Sequence, residues 1–206
     1  ATEGQLLLNN TDITRAPPYE RIRSGISHVP EDRYKRGLIS DFSVMENLIL
    51  GSQNRPPFAK WGGRLDLGEI SKYAQRLINN FSIKTQNEDT PARHLSGGTQ
   101  QRVVLAREIS REPKLIIASQ PTRGLDVGAT EYVRKKLVEM RDQGCAILLI
   151  SADLDEVWAL SERIAVIYEG RIVAIKRPEE TSEQELGLLM TGGKQDRENA
   201  TTHSQS

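Results

Sequence analysis

The chain has 206 residues, enough for one ordinary core with a small subdomain attached. Its 28 basic and 28 acidic residues cancel to a net charge of zero, so no global field draws it to nucleic acid or to an anionic membrane. Cys145, the one cysteine, lies in an apolar stretch and excludes an internal disulfide or a cysteine zinc cluster, which fits a reducing compartment.

Residues 5–8 read as a short strand closed by a turn at 9–12, where Asn, Thr and Asp can bond their own backbone. A short helix is predicted at 19–24, then a strand at 25–30 that enters a polar loop, 31–37. Ser43 and Glu46 have the spacing of a capping box, with hydroxyl and carboxylate satisfying orphan amides of a helix that runs to Leu50. Residues 53–63 hold two prolines and two glycines and read as a loop. Asp66 can cap the next helix, in which Ile70, Tyr73, Ala74, Leu77, Ile78 and Phe81 recur at helical spacing. The stretch 32–95 thus reads as a helical insert.

A helix at 99–110 is predicted to bury Val103, Val104, Leu105 and Ile109 on one side, and 115–118 makes a short buried strand. A second amphipathic helix carries Val133, Leu137 and Met140 in register, and 145–150 is the next strand. Strands alternating with helices imply a parallel sheet. A hairpin then pairs 164–168 with 171–174 around Glu169 and Gly170, a short helix follows, and the polar, aperiodic residues 191–206 read as a disordered tail. No apolar run approaches the roughly 20 residues of a membrane span.

The chemistry concentrates in Leu95-Ser96-Gly97-Gly98-Thr99-Gln100. Two glycines behind Ser96, just ahead of a helix, leave backbone amides unpaired with the positive end of the helix dipole behind them. Glycine lets an anion approach the backbone closely and Ser96 adds a hydroxyl, so such an end suits phosphate. Taken alone, the run is more often a plain helix cap. Here a helix and an apolar strand follow, and then Ser119-Gln120-Pro121-Thr122-Arg123-Gly124-Leu125-Asp126.

That order resembles the signature loop, Walker B strand and D-loop of ABC-type ATPases. Val29-Pro30-Glu31-Asp32-Arg33, Arg36-Gly37-Leu38 and the run from Pro121 through Ala129 resemble the second domain of two-domain ATPases that serve simple-sugar and nucleoside importers. Ala118-Ser119-Gln120-Pro121 looks more like the nucleoside branch than the ribose or galactose branch. The resemblance covers roughly residues 4–192. It implies an α/β fold, a P-loop NTPase-like ABC ATPase domain with a mainly parallel sheet and a helical subdomain inserted at about 32–95 of a partial domain, 1–190. No Gly-x-x-x-x-Gly-Lys-Ser/Thr pattern occurs, and the only Gly-Lys pair, Gly193-Lys194, falls in the tail. The family places that phosphate loop ahead of a strand like 5–8, so the sequence is expected to start downstream of it, as a piece of a longer chain.

Several positions depart from the family pattern. Its strand ends in an aspartate that holds magnesium through water and a glutamate that orients the attacking water. Ser119 and Gln120 stand there, and neither carries the charge or accepts a proton near neutral pH. The switch histidine is replaced by Ala152, and the Q-loop glutamine by Glu31, whose carboxylate either repels a nucleotide phosphate or is simply a solvated loop residue. The resemblance therefore implies no catalytic residue in cis and no metal held by this chain.

What it leaves is a signature loop, Ser96, Gly97, Gly98, Thr99 and Gln100, that meets ATP in trans, with Gly124, Leu125 and Asp126 as the D-loop coupling two halves. The implied partners are an N-terminal ABC domain of the same polypeptide, transmembrane permease subunits facing 31–37 and 42–50, and indirectly a solute-binding protein. ATP and Mg2+ belong to the composite sites, at the cytoplasmic face of the cell membrane. Two alternatives stay open. A soluble ABC ATPase acting on ribosomes or DNA would need a positive balance that this chain lacks, and a structural pseudo-ATPase half would need no glycine-lined phosphate cap.

Overall fold

In the computed structural model, which describes residues 3–60 and 63–192, the chain opens with a hairpin. Leu7–Leu8 (β1) and Thr11–Asp12 (β2) pair antiparallel, and Asn9 and Asn10 between them take positive φ of 48° and 62°. Asparagine tolerates the left-handed backbone, so two residues complete the turn and Thr11 and Asp12, expected inside it, form the returning strand. Pro18–Arg23 (α1) starts on proline, which suits a first helical turn, and leads into Ile26–Val29 (β3). The predicted polar loop beyond it holds a π-helical turn, Arg33–Gly37, started by Asp32, whose carboxylate accepts from the amides of Tyr34 and Lys35.

Val44–Ile49 (α2) begins with the expected capping box: the Glu46 amide donates to Ser43 Oγ at 3.2 Å, and the Ser43 amide to Glu46 Oε2 at 2.8 Å. Leu67–Asn80 (α3) is capped by Asp66, and it buries Ile70, Ala74 and Leu77, with Phe81 buried just past its end. Phe58 meets Tyr73 edge to face at 4.8 Å and closes a small core with Ile49 and Ile70. The insert is seated on the next helix, Gly97–Ile109 (α4), through α2.

That helix starts two residues before its predicted position, and its burial is not one-sided. Thr99, Gln100, Gln101, Val103, Val104, Leu105, Ala106, Arg107 and Glu108 are all buried, whereas Ile109 is half-exposed. Leu115–Ser119 (β4), Val127–Asp142 (α5) and Ala146–Ile150 (β5) follow. Strands β3, β4 and β5 form a parallel sheet in that order, with Val29 opposite Ala118 and Ala118 opposite Leu149. Ser27, Val29, Ile116 and Ala118 line its buried face. On the other face His28, Ala146, Leu148 and Ile150 are exposed.

The chain divides into two compact units, Ala1–Ile150 and Ser151–Ser206. In the second, Leu154–Leu160 (α6) precedes the antiparallel pair Ile164–Tyr168 (β6) and Arg171–Lys176 (β7), two residues longer than predicted, and Glu183–Met190 (α7). Ile164, Val166, Leu186 and Leu189 make its core. Thr191 and Gly192 close α7 by bonding back to Leu188 and Leu189, and the rest of the predicted disordered tail, 193–206, lies outside the described residues. Among the described residues no helix is long and apolar enough to cross a membrane.

Ser43→Ala removes the hydroxyl half of the capping box on α2 and leaves the backbone amide bonded to Glu46, so we expect a loss of about 1 kcal/mol, read as a lower urea midpoint at unchanged m-value.

Candidate functional site

Parallel strands β3 and β4 end side by side, so the segments that leave them, 30–37 and 119–126, emerge at one edge of the sheet. The carboxyl ends of parallel strands are where α/β folds place their ligand sites. The start of α4 reaches the same edge. Gln101 Nε2, buried, donates to the Pro121 carbonyl at 2.8 Å and ties the helix to the loop after β4. A Cβ added to Gly98 would stand 3.0 Å from that of Ala129 on α5, and one added to Gly97 would stand 2.6 Å from Arg33 Nη2. A side chain at Gly98 would press on α5, which can give little, whereas one at Gly97 would only push aside the flexible end of Arg33.

The structure brings together three of the predicted segments: Glu31 with its neighbours, the signature-like loop, and the run from Ser119 to Asp126. Ser96 is the N-cap of α4; its hydroxyl accepts from the Thr99 amide at 3.3 Å and lies 2.9 Å from Thr99 Oγ1. The amides of the first turn have no partner within the helix, and they carry the positive end of its dipole. Thr99 is buried.

Gln100 departs from expectation. It is 2% exposed, and its Nε2 donates to the Ala92 carbonyl at 3.0 Å, anchoring the 3-10 turn Ala92–His94. Because α4 is enclosed, only the first-turn backbone and Ser96 reach the loop surface, and the glutamine side chain braces the loop from inside.

Ser119 ends β4 half-buried. Gln120 takes a left-handed backbone with φ of 45°, and its amide donates to the Ile150 carbonyl at 2.7 Å. Gly124 also has positive φ, 68°, in the turn that the Leu125 amide closes on Thr122 O at 3.1 Å. Asp126 caps α5, with Oδ1 accepting from the Ala129 amide at 2.9 Å. Ala152 belongs to the second unit, exposed in the bend ahead of α6.

The residues that sequence reading missed are two cations. Arg123 forms an ion pair with Glu31 across 92 residues of chain, so this carboxylate has a counter-charge and its repulsion of a phosphate is offset. Arg33 lies over Gly97, stacks on the Tyr34 ring at 4.9 Å, and donates from Nη1 to the Arg123 carbonyl at 3.2 Å. Both arginines stand in the runs that carry the family resemblance, but nothing in a single sequence pairs them.

A magnesium ion favours oxygen ligands that bring negative charge. At this edge Ser119 and Gln120 offer neutral oxygens, Glu31 is paired with Arg123, and Asp126 is committed to its helix. Among the described residues no three His, Cys, Asp or Glu side chains gather into a metal-holding group. The donor set at this edge does not fit Mg2+, and the amide-lined start of α4 with Arg33 beside it suits a phosphate instead.

Comparison with known proteins agrees with this geometry. Residues 1–123 match the family described as ABC transporter. The chain is 52% identical over 192 residues to the guanosine import ATP-binding protein NupO of Bacillus subtilis, covering 93% of this chain and 38% of that protein. It is 47% identical over 190 residues to the nucleoside import ATP-binding protein NupA of Lactococcus lactis, covering 92% and 37%. A ribose import ATP-binding protein, RbsA of Streptococcus agalactiae, is 38% identical over 191 residues, covering 93% and 38%. The chain thus spans well under half the length of these relatives. Among solved structures, a nucleotide-free ATP-binding cassette from an ABC transporter superposes with a TM-score of 0.70 at 25% identity, covering 93% of this chain and 74% of that one. A glycine-lined helix start beside the end of a parallel strand, a matched family over most of the first unit and a relative above half identity lead to one conclusion: this chain belongs to the ABC transporter ATP-binding family.

Proposed function

We propose that this chain is the second nucleotide-binding domain of an importer ATPase, which lends its signature loop to a partner's ATP site while its own half-site is silent. The observation that carries this is one edge of the sheet. Gly97 and Gly98 are kept bare at the start of α4, while Ser119 and Gln120 stand beside them where the family pattern has acids. The partner is an N-terminal ABC domain of the same polypeptide, and 32–95 is the helical subdomain of this one.

Two such domains sandwich ATP head to tail. The terminal phosphate held by the partner meets the first-turn amides of α4, and the Ser96 hydroxyl swings from Thr99 to donate to it. Arg33 adds positive charge at the same place, while that of Arg123 is offset by Glu31. Asp126 and the turn at Gly124 and Leu125 couple the halves, and Gln100 braces the loop from within. Donors that strengthen their grip in the closed state are worth a few kcal/mol each, so binding drives closure and hydrolysis in the competent site releases it. Any Mg2+ would be held by the partner's acids, since the donors at this edge do not suit it.

The solute is a nucleoside or simple sugar. The relatives named for guanosine and nucleoside import are 52% and 47% identical, against 38% for the ribose one, which favours the nucleoside branch. Permease subunits dock at 31–37 and 42–50, a solute-binding protein acts through them, and the domain sits at the cytoplasmic face of the cell membrane.

Ser96→Glu places a bulky anion where the phosphate is gripped, so ATP hydrolysis by the full-length protein should drop by about two orders of magnitude or more. Turnover at the normal rate overturns this reading. Restoring S119D and Q120E together should raise hydrolysis by less than about twofold unless A152H is added, because a silent half-site needs its switch histidine as well. A full gain from the acid pair alone contradicts the account.

A further inference from the structure

Helix α4 runs from the signature loop into a buried ionic cluster at its other end. Glu108, 4% exposed, is gripped by its neighbours: Arg107 Nε donates to Oε1 and Arg111 Nη1 to Oε2, each at 2.8 Å. The same Oε2 accepts from the His28 amide at 3.3 Å, and the Glu108 carbonyl accepts from the Ser27 hydroxyl at 2.8 Å. This locks α4 to β3.

The two guanidiniums also reach the other way. Arg107 Nη1 donates to the Asn47 carbonyl at 3.4 Å, and Arg111 Nη2 donates to that of Leu50. Both carbonyls belong to the last turn of α2, where a helix has no internal donors left. Asn47, fully buried, passes the connection on: its Oδ1 accepts from the Ile39 amide at 2.9 Å, and its Nδ2 donates to Ile39 O at 3.0 Å, Phe42 O at 3.2 Å and Ser43 O at 3.0 Å. A continuous set of bonds therefore joins β3, α4, α2 and the segment 39–43. Apolar packing would hold these elements at lower desolvation cost, but it would not fix their relative angle as a charged, directional cluster does.

We infer that Glu108, with Arg107 and Arg111, is a positioning cluster that makes 39–50 and the signature helix one rigid piece, so that any displacement of the segment carries Ser96, Gly97 and Gly98 with it. What displaces the segment rests on the proposed function: a membrane partner docked at 42–50.

The test uses the full-length protein assembled with its permease, with Glu108→Gln and Arg111→Lys. The first keeps the shape but removes the counter-charge; the second keeps the charge but loses the fork that reaches Leu50 and Glu108 together. In both, hydrogen exchange across 39–50 should rise about tenfold or more while the amides of β4 and β5 keep their protection. Basal ATP hydrolysis should stay within about twofold, and its stimulation by solute-loaded binding protein should fall about tenfold. Unchanged exchange across 39–50 in both variants overturns the clamp. Raised exchange with full stimulation overturns its role in coupling. If Glu108→Gln fails to fold, Arg111→Lys decides alone. Should Ser96→Glu leave ATP hydrolysis intact while the exchange pattern appears as described, the proposed function falls and the clamp stands.

Discussion

Helix α4 is enclosed on nearly every side, and much of the first unit is arranged to meet that constraint. A surface helix turns its polar side chains to water; this one cannot. Gln100, Gln101, Arg107 and Glu108 are all buried, so each must find its partner in protein. Most of their polar atoms find one, at Ala92, at Pro121, at Asn47 and in one another, while Gln100 Oε1 is left without. Leaving a single such group unpaired costs about 1–3 kcal/mol, a sizeable share of a domain's net stability. The polar groups of α4 therefore dictate where its neighbours run, while Val103, Val104 and Leu105 supply the cohesion.

The result at the sheet edge is a loop whose charges cancel but for one cation. Glu31 and Arg123 cancel one another, Arg33 remains over Gly97, and the neutral Ser119 and Gln120 add nothing of either sign. An edge built this way suits the phosphate that the proposed function brings to it.

How much of this was legible depends on how local each contact is. The capping box at Ser43 and Glu46 needs only residues three apart, and it is present as read. The one-sided helices were equally plain: Ile70, Ala74 and Leu77 on α3, and Val133, Leu137 and Met140 on α5, are buried as their spacing required. The stripe read on helix α4, Val103, Val104, Leu105 and Ile109, implied one buried side, but the helix is enclosed around most of its circumference, and so the inward turn of Gln100 could not be read from periodicity. The motif located the loop; it did not reveal Arg33 lying over Gly97 or the pairing of Glu31 with Arg123, which join segments far apart in the chain. The opening hairpin escaped for a different reason: strands of two residues, Leu7–Leu8 and Thr11–Asp12, are too short for alternation to register.

The backbone at Gln120 bears on how chemistry and folding are divided in this domain. A left-handed residue that is not glycine costs about 1 kcal/mol, and here the bond from its amide to the Ile150 carbonyl holds it there. The bend that follows the strand is thus kept in full although the side chain it carries is uncharged. Glutamine and glutamate are isosteric, so the polypeptide frame at this position is indifferent to which of them it holds. The silence proposed for this half-site rests on a few side-chain atoms, borne by a scaffold still shaped to aim them.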